Sequence, residues 1–310
     1  MTPAFSPVQR CWICDADALA PVHDARFHFP EYAEQDPELA AYTGATVAIQ
    51  RCRRCGFAQP SAVPVLPRYF DRMYDQHWSE EWVAAEHEAD YKDFIFRRIL
   101  AFLSARVSDR PRRLLDIGAH AGRFLRMARE AGWEAEGLEL NPRTAAFARK
   151  ATGVPIHLVN VHEFDAGGHR FNAVTLTDVL EHVPDPLLIL RRVRDLLQEN
   201  GWIAVKVPNA PSQRLKETLR GRLQRHYRPR IADNLVHVNH FSAGSLRLAL
   251  SRAGYSKTVL TVGAPELPPG NGVRTRAGRA GRLVAFHAAN ALPWGVRSPL
   301  AFNLQAYARR

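Results

Sequence analysis

Leu114-Leu115-Asp116-Ile117-Gly118-Ala119-His120-Ala121-Gly122-Arg123-Phe124 reads as a short apolar strand, a tight turn and the first residues of a helix. Glycines at 118 and 122 let backbone come close to a ligand at a helix N-terminus, where unpaired amides gather. Asp116 lies inside the strand, ahead of the first glycine, and the spacing is not G-x-G-x-x-G. Both features argue against a dinucleotide-binding dehydrogenase. Twenty-three residues after Asp116, the next apolar segment ends in Glu139, where a carboxylate can accept two hydrogen bonds from a ribose diol. Outward from this turn, apolar runs alternate with amphipathic helices, the pattern of an α/β fold. The spacing predicts strands over 114–118, 134–140, 156–159, 172–177, 202–207, 257–262 and 304–308. Helices are predicted over 123–131, 144–152, 186–198 and 245–253. Ahead of them, Trp82, Tyr91, Phe94, Ile95, Ile99, Leu100 and Leu103 form one apolar stripe, which predicts a helix over 78–107.

All four cysteines lie near the N-terminus, as Cys11-x-x-Cys14 and Cys52-x-x-Cys55. Two such chelating pairs can close a tetrahedral thiolate shell around Zn²⁺. The 37 residues between the pairs exceed the spacing of compact Cys₄ ribbons, about 15–20, so the intervening chain must fold as a small unit. A closed Cys₄ shell has no open coordination position, so its role is structural. His23 and His28 are spare imidazoles in the same region.

The 310 residues are 46% hydrophobic and 24% charged, which excludes a wholly disordered or fibrous chain. The net charge of +11 is uneven: residues 211–310 hold 17 basic and 3 acidic side chains, while 1–210 balance at −3. A basic third can attract nucleic acid, anionic lipid or phosphorylated small molecules. No run reaches the roughly 18 apolar residues of a membrane span, and MTPAFSPVQR lacks the apolar core of a secretory leader. The expected compartment is the cytoplasm, where disulfides are rare.

Residues 112–262 resemble class I S-adenosylmethionine-dependent methyltransferases with a methyltransferase-23-like core. LDIGAHAGRF is similar to their D-x-G-x-G-x-G motif at Asp116, Gly118 and Gly122, and departs from it at the middle glycine, which is His120. The segment 177–186, TDVLEHVPDP, resembles the family's fourth-strand exit, and 202–209, WIAVKVPN, its fifth strand. The ending NLQAYARR resembles the last, antiparallel strand, and the cysteine pairs are similar to those preceding the methyltransferase domain of sugar C-methyltransferases. The resemblance implies a Rossmann-like seven-stranded sheet, a small N-terminal zinc-binding module and a helical lid. It divides the chain into a Cys₄ module (1–60), a linker and lid (61–110) and a methyltransferase domain (111–310) with basic insertions at 210–236 and 270–298. S-adenosyl-L-methionine would lie among Asp116, Gly118, Ala119, His120, Gly122, Glu139, Leu140, Asn160, Val161, Thr177, Asp178 and Val179. Gly118 and its neighbours would meet the methionine part, Glu139 the ribose, and Asn160 or Val161 the adenine.

Methyl transfer from a sulfonium needs alignment of nucleophile, methyl and sulfur, and removal of a proton where the nucleophile carries one. Glu181 and His182 share one face of a turn with Asp178 at the mouth of the fourth strand, which makes them the first candidate bases. Ubiquinone-pathway O-methyltransferases have a similar acid-x-x-Glu-His cluster that can bind a divalent cation; the plainer reading is a capping and salt-bridging cluster. His237 and His240, in HVNHFSAGSL, are the second candidates; Tyr69, Tyr74 and His77 in the lid are the third. No Asn/Asp-Pro-Pro-aromatic motif stands at the fourth-strand exit and no cysteine follows Cys55, so common nucleobase methylation and nucleic-acid partners are disfavoured. Arg214, Lys216, Arg220, Arg222, Arg225, Arg228 and Arg230 suit an acceptor bearing phosphate, and 274–296 offer peripheral membrane contact. The expected activity is O- or C-methylation of a small-molecule or sugar acceptor, including nucleotide- or lipid-linked ones. The alternatives are a zinc-containing nucleic-acid-binding protein or an RNA-directed methyltransferase, a methyltransferase-like scaffold without activity, and a nicotinamide-dependent oxidoreductase whose glycine spacing is wrong.

Overall fold

The computed structural model describes residues 3–73, 79–108, 110–270 and 272–310. The chain begins with β1 (Phe5–Pro7), β2 (Leu19–Arg26), α1 (Pro37–Ala40), β3 (Thr46–Cys52), β4 (Ala58–Pro60) and β5 (Ala62–Pro64). β2, β3 and β4 form an antiparallel sheet, and β1 pairs with β5. The long spacer between the cysteine pairs folds around buried Phe27, Phe29, Tyr32 and Tyr42, with Tyr69 inserted among them. This aromatic cluster is the small core that the spacer length demanded.

Next come α2 (Tyr69–Arg72), α3 (Glu80–Glu88) and α4 (Asp93–Ser104). The single helix predicted over 78–107 is therefore two. The Tyr91 carbonyl accepts from Leu267 N at 2.8 Å, and Lys92 reaches Asp178. These tertiary contacts outweigh the helical periodicity that runs through the break.

The remaining elements are β6 (Arg113–Ile117), α5 (Arg123–Glu130), β7 (Glu134–Leu138), α6 (Pro142–Thr152), β8 (Ile156–His157), β9 (Phe171–Thr177), α7 (Pro186–Leu196), β10 (Leu197–Pro208), α8 (Ala210–Leu223), α9 (Ala243–Arg252), β11 (Ser256–Gly263), α10 (Val273–Ala291) and β12 (Asn303–Arg309). Their caps follow from sequence. Asn141 Oδ1 accepts from Arg143 N and Thr144 N ahead of Pro142 in α6, and Ser242 and Ser245 close a capping box on α9. β8 has two residues where four were predicted, because the chain turns at Asn160, whose side chain accepts from His162 N at 3.1 Å. α8 and α10 occupy the two basic insertions, and Leu215, Leu219 and Leu223 of α8 face solvent.

The large sheet runs β11-β12-β10-β9-β6-β7-β8. β12 is antiparallel to both its neighbours, whereas β10, β9, β6, β7 and β8 are mutually parallel. Leu115, Ile117, Val174, Leu176, Ile203 and Val205 point to the face covered by α7 and α9. Leu114, Ala173 and Ala204 point to the face covered by α4 and α5. That alternation is the two-residue period of strands buried on both faces. Chain order reverses between β6 and β9, which opens a crevice at the carboxyl ends of those strands. No helix is long and apolar enough to cross a membrane among the described residues.

Arg123, the first residue of α5, forms a bidentate pair with Asp93 of α4 at 2.6 and 2.8 Å, with both side chains near 14% exposed. Asp93→Ala leaves the guanidinium buried without its partner. It should cost about 3 kcal/mol, read as a lower urea midpoint with an unchanged slope; no shift would show that the pair does not hold α4.

Candidate active site

The turn after β6 rests on the end of β7. Gly118 N and Ala119 N both donate to the Leu138 carbonyl at 2.9 Å. Glu139 then accepts His120 N at 2.7 Å and Asn141 N at 2.8 Å, one on each carboxylate oxygen. Gly118, His120 and Gly122 all have positive φ: 76°, 49° and 80°. At Gly118 a Cβ would stand 2.6 Å from Val179 Cγ2, so position 118 admits no side chain. Histidine tolerates the left-handed conformation better than most residues, and the His120 ring meets Trp82 of α3 edge-on at 5.6 Å. Burial pushes His120 down to about 4, so the ring is neutral. His87 of α3 hydrogen-bonds the Ala121 carbonyl at 2.6 Å. The residue that breaks the glycine pattern thus gives the lid helix a second hold on the turn. Beneath it, Thr175 Oγ1 donates to Asp116 at 2.6 Å, and burial pushes the Asp116 carboxyl up to about 7.

At the exit of β9, Asp178 lies between two ammonium groups. Lys92 Nζ approaches one oxygen at 2.9 Å, Lys206 Nζ binds the other, and Lys206 also meets Glu266 at 3.2 Å. Burial alone would raise the Asp178 carboxyl, but Lys206 and Lys92 hold it well below the usual carboxylate range. Glu181 is the opposite case: burial, with Asp178 beside it, pushes its carboxyl well up. Its Oε2 is buried without a hydrogen-bond partner, and its backbone carbonyl accepts Val238 N and Asn239 N at 2.9 and 3.0 Å.

His182 points Nδ1 at the Val236 carbonyl, 2.6 Å away. That bond places the proton on Nδ1 and leaves Nε2 as the basic nitrogen. The His237 ring stands 4.8 Å from it, edge-on. Burial lowers both, His237 to about 3, so both are neutral imidazoles. His240 lies farther along the same segment and bridges to Ala58 of β4. Thr177 Oγ1 is buried without a partner, Leu140 is half-buried, and Asn160 Nδ2 contacts Asp71 at 3.4 Å. Val161 is buried in the hydrophobic core. Tyr69 packs among aromatics and donates to the Asn234 carbonyl at 2.8 Å, which makes it a structural residue. Tyr74 and His77 lie outside the described residues. Lys92, Lys206 and Glu266 were not read from sequence; the signal was Lys206, a lone charge in the apolar run WIAVKVPN.

Among the described residues, one group converges as metal ligands: Cys11, Cys14, Cys52 and Cys55, with all sulfurs within 4.8 Å of one another. Cys11 and Cys55 are 3.6 Å apart, Cys14 and Cys52 3.5 Å. Zn–S bonds of about 2.3 Å in a tetrahedron put sulfurs about 3.8 Å apart, so the donor set fits Zn²⁺. The module is not a separate bead. Cys11, Cys14, Cys52 and Phe57 share a core with α9, and the Phe57 and Phe241 rings meet at 5.0 Å.

A family model described as "Methyltransferase domain" matches residues 86–260, more than half of the chain. The chain belongs to the methyltransferase domain family. Ubiquinone biosynthesis O-methyltransferase from Cereibacter sphaeroides is 32% identical over 134 residues, 42% of this chain and 49% of that relative. The protein of the same name from Xanthomonas campestris pv. campestris is 30% identical over 116 residues, 36% and 48% of the two chains. The chain spans about half the length of these curated relatives. The plantazolicin methyltransferase BpumL, solved with S-adenosylhomocysteine and a triazolic analogue, superposes with a TM-score of 0.52 at 10% identity, covering 78% of this chain and 95% of that one. That likeness is one of fold. The family match begins inside α3 and ends inside β11, so it takes in α4 and leaves the cysteine module, α10 and β12 outside.

The basic third of the chain is largely engaged in internal contacts. Arg220 meets Glu217 and Tyr227, Arg228 pairs with Asp233 at 3.0 Å, and Arg279 and Arg282 bond the carbonyls of Pro268 and Glu266. Arg222 and Arg225 are exposed, and Arg214 alone of the first cluster lines a cleft.

Asp116 gives a pH signature. Its folded value, about 7, lies above its unfolded one, so the folded chain binds the extra proton and stability falls as pH rises from about 4 to 7. Asp116→Asn keeps the Thr175 hydrogen bond and removes that proton. Between those limits its urea-derived stability should decline less steeply than that of wild type, and parallel curves would contradict the assignment.

Proposed function

We propose that this chain is an S-adenosylmethionine-dependent methyltransferase that methylates oxygen or carbon of a small-molecule or sugar acceptor. The observation that carries the reading is the 118–122 turn clamped onto Glu139 beside the β9 exit. Each Glu139 oxygen accepts one amide and retains capacity for another donor, which suits the two hydroxyls of a ribose. The orphaned Thr177 hydroxyl and the bare backbone at Gly118 supply further fit for the cofactor. When bound, that cofactor supplies the methyl group on a sulfonium. His182 Nε2, neutral and fixed in tautomer, would take a proton from an acceptor hydroxyl. His237 stands next to it as the second group able to receive that proton. The 1–60 module holds structural Zn²⁺ in this reading, the 61–110 segment covers the crevice, and residues 111–310 form the catalytic body.

Calorimetry with S-adenosylhomocysteine tests the cofactor site. Wild type should bind with micromolar affinity. Glu139→Gln should bind about tenfold or more weakly, since a charged acceptor is worth about 1.5–3 kcal/mol. Absence of binding in folded wild-type protein would defeat the reading. The module is tested separately: purified protein should carry one zinc per chain, and Cys52→Ser should lose it together with a cooperative part of the thermal transition. Metal-free protein with an unchanged Tm would show that the four thiols need no ion.

A further inference from the structure

The helix that follows β10 carries an apolar face that nothing in the chain covers among the described residues. Leu215, Leu219 and Leu223 of α8 recur at every fourth residue, so they lie on one side of the helix. They are 43%, 47% and 85% exposed. Single exposed leucines are common, but three in register on one helix make an unpartnered stripe. α8 leaves the sheet at the level where Pro208 of β10 and Gly263 of β11 both pair with Asn303 of β12. That is the carboxyl end of β9 and β10, the end at which the crevice opens. Phe302 is exposed at the same corner, and its carbonyl accepts from Asn209 N at 2.9 Å.

The charge around the stripe is of one sign. At about 3.6 residues per turn, Lys216 and Arg220 flank the leucines on one side and Arg222 on the other. Residues 211–232 hold seven basic side chains and one acid, Glu217. That acid is turned away from the stripe: its side chain is 15% exposed and accepts from the Tyr227 hydroxyl. Ala210, Gln213 and Glu217 face the cysteine module across a cleft, so the side of α8 opposite the leucines is the one held by the protein. Lys216, Arg222 and Arg225 are exposed and have no ion pair among the described residues. The 274–296 stretch differs, since Arg279 and Arg282 are spent on the carbonyls of Pro268 and Glu266.

We infer that α8 docks on an anionic phospholipid bilayer, with Leu215, Leu219 and Leu223 at the edge of the acyl region and Lys216, Arg220, Arg222 and Arg225 among the headgroup phosphates. Such a surface uses both features at once: apolar side chains enter the headgroup–acyl boundary, and cations beside them meet the negative lipid. Nucleic acid would take the cations and leave the leucines in water, and α8 has no aromatic side chain on which a base could stack. A second copy would cover the leucines, but a two-fold contact would set each basic flank against its own kind. The inference stands on α8 alone and is independent of the cofactor and acceptor readings. The cations supply an attraction that salt screens, and the leucines supply a hold that salt does not weaken.

The test mixes the full-length, zinc-loaded chain with vesicles of phosphatidylcholine and phosphatidylglycerol in equal parts, or of phosphatidylcholine alone, and reads binding by flotation. The chain should float with the mixed vesicles and stay behind with the neutral ones. The double variant Leu219→Gln, Leu223→Gln changes only exposed positions. It should bind the mixed vesicles about tenfold more weakly or worse, with an unchanged Tm. Lys216→Gln combined with Arg222→Gln should lose a similar factor and flatten the dependence on salt. Wild type left unbound by the mixed vesicles would overturn the inference. Full binding by the leucine double variant would overturn it too, since charge alone would then explain the adsorption. Salt-sensitive binding to a single-stranded RNA oligonucleotide, with the vesicles ignored, would assign α8 to nucleic acid. Self-association in sedimentation that the leucine substitutions abolish, again without vesicle binding, would assign the stripe to a second copy.

Discussion

The Glu139 carboxylate is the constraint on which the crevice depends. It sits at the end of β7 and accepts two backbone amides, His120 N ahead of it and Asn141 N behind it. The first bond fixes a turn that holds three residues at positive φ, a conformation that a free loop would leave. The second fixes the start of α6, where Asn141 then caps Arg143 N and Thr144 N. Gly122 in turn lies close against Ala148 and Thr152 of α6. One buried charge therefore positions a turn, a helix start and a helix–helix contact. It does so with charge-assisted bonds, the stronger kind, and keeps lone pairs for a ligand.

A second electrostatic centre joins the lid to the sheet. Lys92 stands at the break between α3 and α4, Lys206 near the carboxyl end of β10, and Asp178 at the end of β9. Two ammonium groups on one carboxylate leave excess positive charge, and Glu266 takes part of it at 3.2 Å. Burial and the neighbouring Asp178 push the Glu181 carboxyl well up, which favours its uncharged form and limits buried negative charge. The order of causes runs from the strand exit outward. Asp178 needs cations, the cations draw in the lid and the 264–268 segment, and the lid then docks on the turn through Trp82 and His87. The strand-exit pattern seen in sequence is thus held together by lysines.

The sheet was legible because strands buried on both faces and helices buried on one leave different periods. Residues 114–118, 172–177 and 202–207 fall on β6, β9 and β10 within a residue or two, apart from the extension of β10 back to Leu197. The break at 89–92 was not legible, since the apolar stripe passes through it and its cause is a carbonyl accepting from Leu267, far along the chain. His120 was readable as a departure from glycine but not as a lid contact, because Trp82 stands 38 residues earlier. Of the basic residues, composition gave the count, and only geometry separates Arg228, spent on Asp233, from Arg214, left facing a cleft. His240 was marked as a candidate by its place in HVNHF; its orphaned nitrogen and its bridge to Ala58 emerge from the fold.

The proposed cofactor site lies at one end of β6, β7 and β9 and nowhere else. Hydrogen–deuterium exchange with and without S-adenosylhomocysteine measures that placement directly. The amides of 116–122, 138–141 and 177–182 should gain protection, with the cysteine module and the basic insertion at 210–236 unchanged. Protection confined to the insertion or to the module, with the 116–122 turn unaffected, would contradict it.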